Sequence, residues 1–200
     1  MTRWYQEKKK EHYYKEAKRS GYRSRSAYKL KQIQKKFKLI NKSDFVLDLG
    51  AAPGGWSQVT KEILGNEGKI IGIDLLHIKP IKGIQFLQCD LTKKSTLIKI
   101  KNLIGNNKID VIISDMSPNI SGNYTIDHAN SIYLCKKTFD LASKILKKNG
   151  NFLCKIFMGE EFNDFVKIIK NDFKIIKLYS PPASRKSSSE IYLIGKYFKK

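Results

Sequence analysis

The chain has no apolar run approaching eighteen residues, which excludes a membrane-spanning helix. Cysteine is scarce: Cys89, Cys135 and Cys154 are scattered, odd in number and never in a C-x-x-C pair. No disulfide framework is expected; each lies in an apolar stretch, so buried, reduced thiols in an intracellular setting are expected. Three histidines (His12, His77 and His128) without local ligand spacing exclude a zinc site, and no metal is expected. The first twenty-five residues lack the apolar stretch of a secretory signal, and Glu7, Glu11 and Glu16 argue against a transit peptide. Acid is also short: 18 Asp and Glu stand against 39 Lys and Arg, a net charge of +21.

That surplus makes nucleic acid the leading partner class, although abundant lysine, isoleucine and asparagine also fit an AT-rich genome. The clustering favours nucleic acid. From Arg3 to Arg25, Trp4, Tyr5, Tyr13, Tyr14 and Tyr22 alternate with Lys8, Lys9, Lys10, Lys15, Lys18, Arg19 and Arg23. Cations meet phosphates and rings stack on unpaired bases, so the mixture suits RNA. The purely structural alternative is a helix whose aromatics pack on the main domain.

Two hundred residues at 41% hydrophobic suit one domain with a substantial core. A helix capped by Ser24 or Ser26 is predicted to run to about Phe37. Short apolar runs then alternate with helical stretches. The runs are Phe45–Leu49, Lys69–Ile73, Ile84–Leu87, Val111–Ser114, Asn151–Ile156, Phe173–Leu178 and Ile191–Lys196. Helices are expected near Ser57–Leu64, Ser95–Ile104, His128–Leu146 and Glu160–Asn171. This predicts an α/β, Rossmann-like domain with a seven-stranded, mostly parallel sheet and helices on both faces. Tyr179–Ser189 contains no helix to cross over, so the last strand is expected to be antiparallel.

The first run leads into Asp48-Leu49-Gly50-Ala51-Ala52-Pro53-Gly54-Gly55-Trp56 and then a helix, the strand–loop–helix arrangement that holds nucleotide-like ligands. The spacing is neither G-x-G-x-x-G nor G-x-x-x-x-G-K-[ST], and Pro53 removes an N–H that a phosphate cradle would use. A phosphate-free adenosine ligand fits better, and S-adenosylmethionine is the common one. Asp74, Asp90 and Asp115 end or follow successive strands, where open α/β sheets bind ligands. Asp74 suits a ribose diol and Asp90 an adenine amino group; any one of them alone reads equally well as a turn cap. Lys155 lies inside the apolar run Phe152–Phe157. Burial and a neighbouring cation turn such a lysine into a base near neutral pH. Glu190 suits holding an ammonium or a substrate hydroxyl.

These residues resemble the FtsJ/RrmJ family of 2′-O-ribose RNA methyltransferases, of the bacterial type acting on large-subunit ribosomal RNA. The resemblance rests on Ser24–Leu30, Asp48–Gln58, Asp74–Leu76, Ser114–Gly122, Lys155–Gly159 and Glu190–Tyr192, in family order over nearly the whole chain. It implies a catalytic set on Lys29, Asp115, Lys155 and Glu190, with Lys155 as general base. It implies an S-adenosylmethionine site on Gly50, Pro53, Gly54, Gly55, Trp56, Asp74, Leu75, Asp90, Leu91 and Asp115. The implied protein is a monomer with a catalytic domain at residues 24–200 and an RNA-contacting extension at 1–23. Its implied target is the ribose of a uridine within the large ribosomal subunit, in the cytoplasm, or in an organelle if the host is eukaryotic. The alternatives are a transfer RNA 2′-O-methyltransferase and a non-catalytic ribosome-assembly factor.

Overall fold

The structure is a computed structural model, and it describes residues 12–185 and 189–200. A helical segment over residues 12–19 (α1) precedes α2 (Ala27–Phe37). Then follow β1 (Phe45–Leu49), α3 (Gly55–Leu64), β2 (Lys69–Asp74), β3 (Gln85–Gln88), α4 (Lys94–Ile104), β4 (Ile109–Ser114) and α5 (Tyr124–Ile145). The chain ends with β5 (Leu146–Phe157), α6 (Phe162–Lys170), β6 (Phe173–Tyr179) and β7 (Glu190–Phe198).

The seven strands form one sheet in the order β3-β2-β1-β4-β5-β7-β6. Strands β1 to β5 pair in parallel, and β7 inserts antiparallel to both β5 and β6. The expected antiparallel last strand is therefore borne out, and among the described residues no helix separates it from β6. The parallel pair β2–β3 also lacks a connecting helix, and Ile78 is buried in that connection.

The sheet is coated on both sides. One cluster joins α2 and α3 to Val46, Val111, Ile113, Leu153, Tyr192 and Ile194. The other joins α4, α5 and α6 to alternate residues such as Leu47, Ile112, Phe152 and Leu193. The period-2 alternation of strand side chains produces this division, and burial on both faces explains why the strands read as short, nearly all-apolar runs.

Local chemistry moves some boundaries. α5 begins at Tyr124 because the Asn123 side chain accepts from the N–H groups of Thr125 (3.1 Å) and Ile126 (3.3 Å). Ser26 occupies the N-cap of α2 without capping it, since its hydroxyl lies 2.7 Å from Ser24 Oγ instead. Cys135 and Cys154 are buried, whereas Cys89 is only half-buried, because β3 is the sheet edge. Among the described residues, no helix is long and apolar enough to cross a membrane, and no group of three or more His, Cys, Asp and Glu is placed to hold a metal ion.

The N-terminal flank packs on the domain where it is described. Tyr13 lies 5.5 Å from Tyr28, ring to ring, and accepts a hydrogen bond from Gln32 Nε2 (3.1 Å); Tyr22 donates its hydroxyl to Glu62. Tyr14 remains exposed. Trp4, Tyr5 and Lys8 to Lys10 lie outside the described residues.

Candidate active site

At the carboxyl end of β1, Asp48 is fully buried. Ser57 Oγ, from the first turn of α3, donates to its Oδ2 at 2.6 Å, and Oδ1 has no hydrogen-bond partner. Burial, with smaller contributions from the Asp115 and Asp74 carboxylates, pushes this carboxyl up to about 7.

The loop beyond it requires its glycines. Gly50 has φ +75°, and a Cβ there would lie 2.3 Å from Met116 Cγ, the residue after Asp115. Gly54 has φ +113° and backs onto Arg23 and Ile81. A Cβ on Gly55 would meet Ser24 Oγ at 2.2 Å, so glycine brings α3 against the segment that leads into α2.

Asp74, ending β2, accepts from Ala52 N–H through Oδ2 (2.9 Å) and from Leu76 N–H through Oδ1 (2.8 Å), tying the glycine loop to the neighbouring strand. Asp90 accepts from the Thr92 N–H (2.9 Å) and hydroxyl (2.7 Å), which hold its carboxyl below the usual carboxylate range. Asp74 thus caps a turn beside the loop, and Asp90 caps the turn that follows β3. Leu75 is exposed, and Leu91 is half-buried against the core. Trp56 is buried: its indole N–H donates to Ser26 O at 2.9 Å, and its ring packs 5.8 Å from Tyr192. Pro53 is exposed, and its carbonyl accepts from Arg23 Nη1 at 3.2 Å.

The second half of the site joins distant parts of the chain. Lys29 of α2 reaches Glu190 Oε1 at 2.5 Å, with side chains only 8% and 12% exposed. Lys155 of β5 donates to Asp115 O at 2.6 Å and lies 3.1 Å from Asp115 Oδ1. The four residues meet as two ion pairs. Tyr192 stands at both: its hydroxyl donates to Asp115 Oδ1 at 2.7 Å, and its ring centroid lies 5.7 Å from Lys29 Nζ. In the antiparallel β5–β7 pair, Lys155 faces Tyr192 and Phe157 faces Glu190, so all four side chains leave the same face of the sheet.

Burial, with the Asp115 and Glu190 charges behind it, raises the Tyr192 phenol well above its ordinary value and keeps it a hydrogen-bond donor. Arg25 is half-buried nearby. Desolvation and then Arg185 lower its pKa, while Glu190, Tyr192 and Asp115 oppose that shift.

Three residues at the site were not read as site residues from sequence: Tyr192, Arg25 and Arg23. Tyr192 follows Glu190 by two, the spacing that places strand side chains on one face, so a signal existed. Arg23 carried none. It donates to the carbonyls of Pro53, Lys79 (2.5 Å) and Pro80 (2.8 Å), contacts that only tertiary packing creates.

A parallel sheet with one reversed strand at its penultimate position, acids along its strand ends and two buried lysines beside them define a Rossmann-like methyltransferase. Residues 22–198 match the FtsJ-like methyltransferases, and the chain belongs to that family. "Ribosomal RNA large subunit methyltransferase E" of Methanosarcina mazei is 48% identical over 190 residues, covering 95% of this chain and 70% of the relative. The protein of the same name from Francisella tularensis subsp. novicida is 42% identical, covering 98% and 96%. Among solved structures, a ribosomal RNA methyltransferase from Plasmodium falciparum superposes with a TM-score of 0.82 at 34% identity, covering 88% of this chain and 98% of its own.

Proposed function

We propose that this protein transfers a methyl group from S-adenosylmethionine to a ribose 2′-hydroxyl in large-subunit ribosomal RNA. The carrying observation is the pairing of Lys155 with Asp115 on the same sheet face as the Lys29–Glu190 pair. The relatives' names and the +21 charge support RNA as the acceptor.

The donor half of the site fits the cofactor. Asp48, Asp74, Asp90 and Asp115 set four carboxyl groups at or just beyond the ends of β1 to β4 in an otherwise strongly basic chain. Asp48 Oδ1 is a buried acceptor without a partner, and Gly50 and Gly54 let the loop turn at positive φ close against Met116 and Arg23. Such a set suits a ligand bearing a sulfonium, an ammonium and a ribose diol. Gly50, Pro53, Gly54, Gly55, Trp56, Asp74, Leu75, Asp90, Leu91 and Asp115 form or back this half. When bound, S-adenosylmethionine supplies an electrophilic methyl on an already activated leaving group.

The protein's task is then to activate and align a poor nucleophile. Lys155, as the free amine, takes the proton of the 2′-hydroxyl as general base and is left as an ammonium paired with Asp115. Asp115, itself fixed by the Tyr192 hydroxyl, orients the Lys155 amine. Glu190 holds the Lys29 ammonium, which donates to the oxygen of the attacking hydroxyl and so orients it, leaving the single O–H proton to Lys155. Alignment supplies much of the rate. The acceptor is a uridine ribose presented on the large subunit, reached by a monomer whose residues 1–23 add RNA contacts to a catalytic domain at 24–200. The compartment is the cytoplasm, or an organelle if the host is eukaryotic.

Incubation with labelled S-adenosylmethionine and large subunits lacking the modification, followed by mapping of the labelled ribose, tests this reading. Label is expected on one 2′-oxygen of the large-subunit RNA. Label in transfer RNA overturns the substrate assignment, and no transfer to any RNA overturns the function.

A further inference from the structure

Beyond the carboxyl end of β5 lies a cavity of about 270 Å³, lined by Ile120, Tyr124, Asp127, His128, Phe157 and Ser189 among others. The side chains of Asp127, His128 and Tyr124 in its wall are bonded within the protein. Asp127 accepts from the Ser121 N–H (2.7 Å) and hydroxyl (2.8 Å) and from the Gly122 N–H (3.2 Å), which pins the turn between β4 and α5. His128 Nδ1 lies 3.1 Å from Phe157 O, and its Nε2 accepts from the Glu161 N–H at 3.2 Å. Together these bonds select the Nδ1–H tautomer and lock the ring. Glycine at 159 permits this, since a Cβ there would lie 2.4 Å from the imidazole.

Tyr124 is different. Its hydroxyl is tethered to Met158 O at 2.5 Å and its ring lies at 13° to that of His128, yet the residue is 61% exposed. Ile120, at 63%, stands beside it. A tethered aromatic ring with an open face, beside a second exposed apolar residue, suits a flat apolar ligand.

We propose that this cavity holds the base of the acceptor nucleotide and that Tyr124 is its stacking platform. The proposal rests on the RNA 2′-O-methylation reading above. Ser189 immediately precedes Glu190, and Phe157 faces Glu190 across the β5–β7 pair, two residues (about 7 Å) beyond Lys155. The base is carried on C1′, one bond from the C2′ that bears the reacting hydroxyl. A ribose held at Lys155 and Glu190 therefore brings its base to this cavity. The volume lies below the usual range of pockets for drug-sized ligands, which fits one base rather than a whole nucleotide. With Asp127, His128 and Tyr124 engaged internally, the cavity grips mainly by stacking and shape, a mode that tolerates different bases.

The test uses the full-length protein with an RNA fragment carrying the mapped ribose, and the same fragment with that nucleotide made abasic. Tyr124→Ala is expected to raise KM for the intact fragment about tenfold, with donor affinity and melting temperature unchanged. Tyr124→Phe, which keeps the ring, is expected to stay within about twofold of wild type. On the abasic fragment the wild type should fall to the level of Tyr124→Ala, and that variant should lose nothing more. If Tyr124→Phe is as poor as Tyr124→Ala, the residue acts by tethering Met158 and the proposal is wrong. A Tyr124→Ala defect that persists on abasic RNA also overturns it. A wild-type protein that methylates no RNA sinks the underlying function, whereas normal transfer with an unaffected Tyr124→Ala sinks the base pocket alone.

Discussion

Tyr192 donates its hydroxyl to Asp115 Oδ1 across 2.7 Å, joining the last strand of the chain to the turn after β4. The phenol is completely buried, so the bond is made in a dry environment where both partners depend on it.

Replacing Tyr192 by Phe deletes that donor and keeps the ring against Trp56. A hydrogen bond to a carboxylate is worth roughly 2 kcal/mol, so the urea midpoint should fall correspondingly with an unchanged m-value. The loss in kcat should be tenfold or less by rough count, since Lys155 keeps its contact with the Asp115 carbonyl.

Lys155→Ala should lower the single-turnover rate of methyl transfer by about 10²- to 10⁴-fold while calorimetry shows donor binding little changed. Lys155→Arg should be equally inactive, because a guanidinium does not release its proton near neutral pH. Wild-type turnover in either variant would remove Lys155 from the role of base.

Lys29 and Glu190 should behave as a coupled pair. Lys29→Met or Glu190→Gln alone breaks a buried ion pair and should cost about 3 kcal/mol of stability. The double replacement should cost less than the sum of the two, by about 1–3 kcal/mol, in a double-mutant cycle followed by denaturant unfolding. Additive losses would show that the 2.5 Å contact carries no coupling.

Asp48 predicts a pH dependence. Its folded carboxyl is pushed up to about 7 from an ordinary 3.8, so between these values the folded state holds a proton that the unfolded state has released. Stability should therefore fall as pH rises from about 4 to about 7 and stay lowered above, by up to about 4 kcal/mol from this group. Asp48→Asn should remove that component, making the variant more stable than wild type at pH 8 and comparable at pH 4. Equal pH slopes in the two proteins would show that the group titrates normally.

Legibility differed by the kind of signal. The start of β1 at Phe45 and the end of α3 at Leu64 were readable because apolar periodicity and glycine placement are local. The start of α5 was missed because a single Asn123 cap outweighed the apolar pattern, and β5 proved longer because its first residues, exposed Lys147 to Asn149, carry no apolar signal. In the site, Asp74, Asp90 and Asp115 were marked by their position after apolar runs. Lys155 was marked by being out of place in one.

The sequence by itself determined the alternating α/β order, the reversed last strand, the glycine loop and the acids at the strand ends, because each is written in a window of a few residues. Only the tertiary structure decided that Lys29 meets Glu190, 161 positions away, that Tyr192 bridges to Asp115, and that Arg23 clasps three carbonyls of the glycine loop and the β2–β3 connection. Sheet order sets those contacts, by placing β7 beside β5 and α2 over their shared face. Pairing between distant strands depends on the packing of both faces at once, which no local window contains.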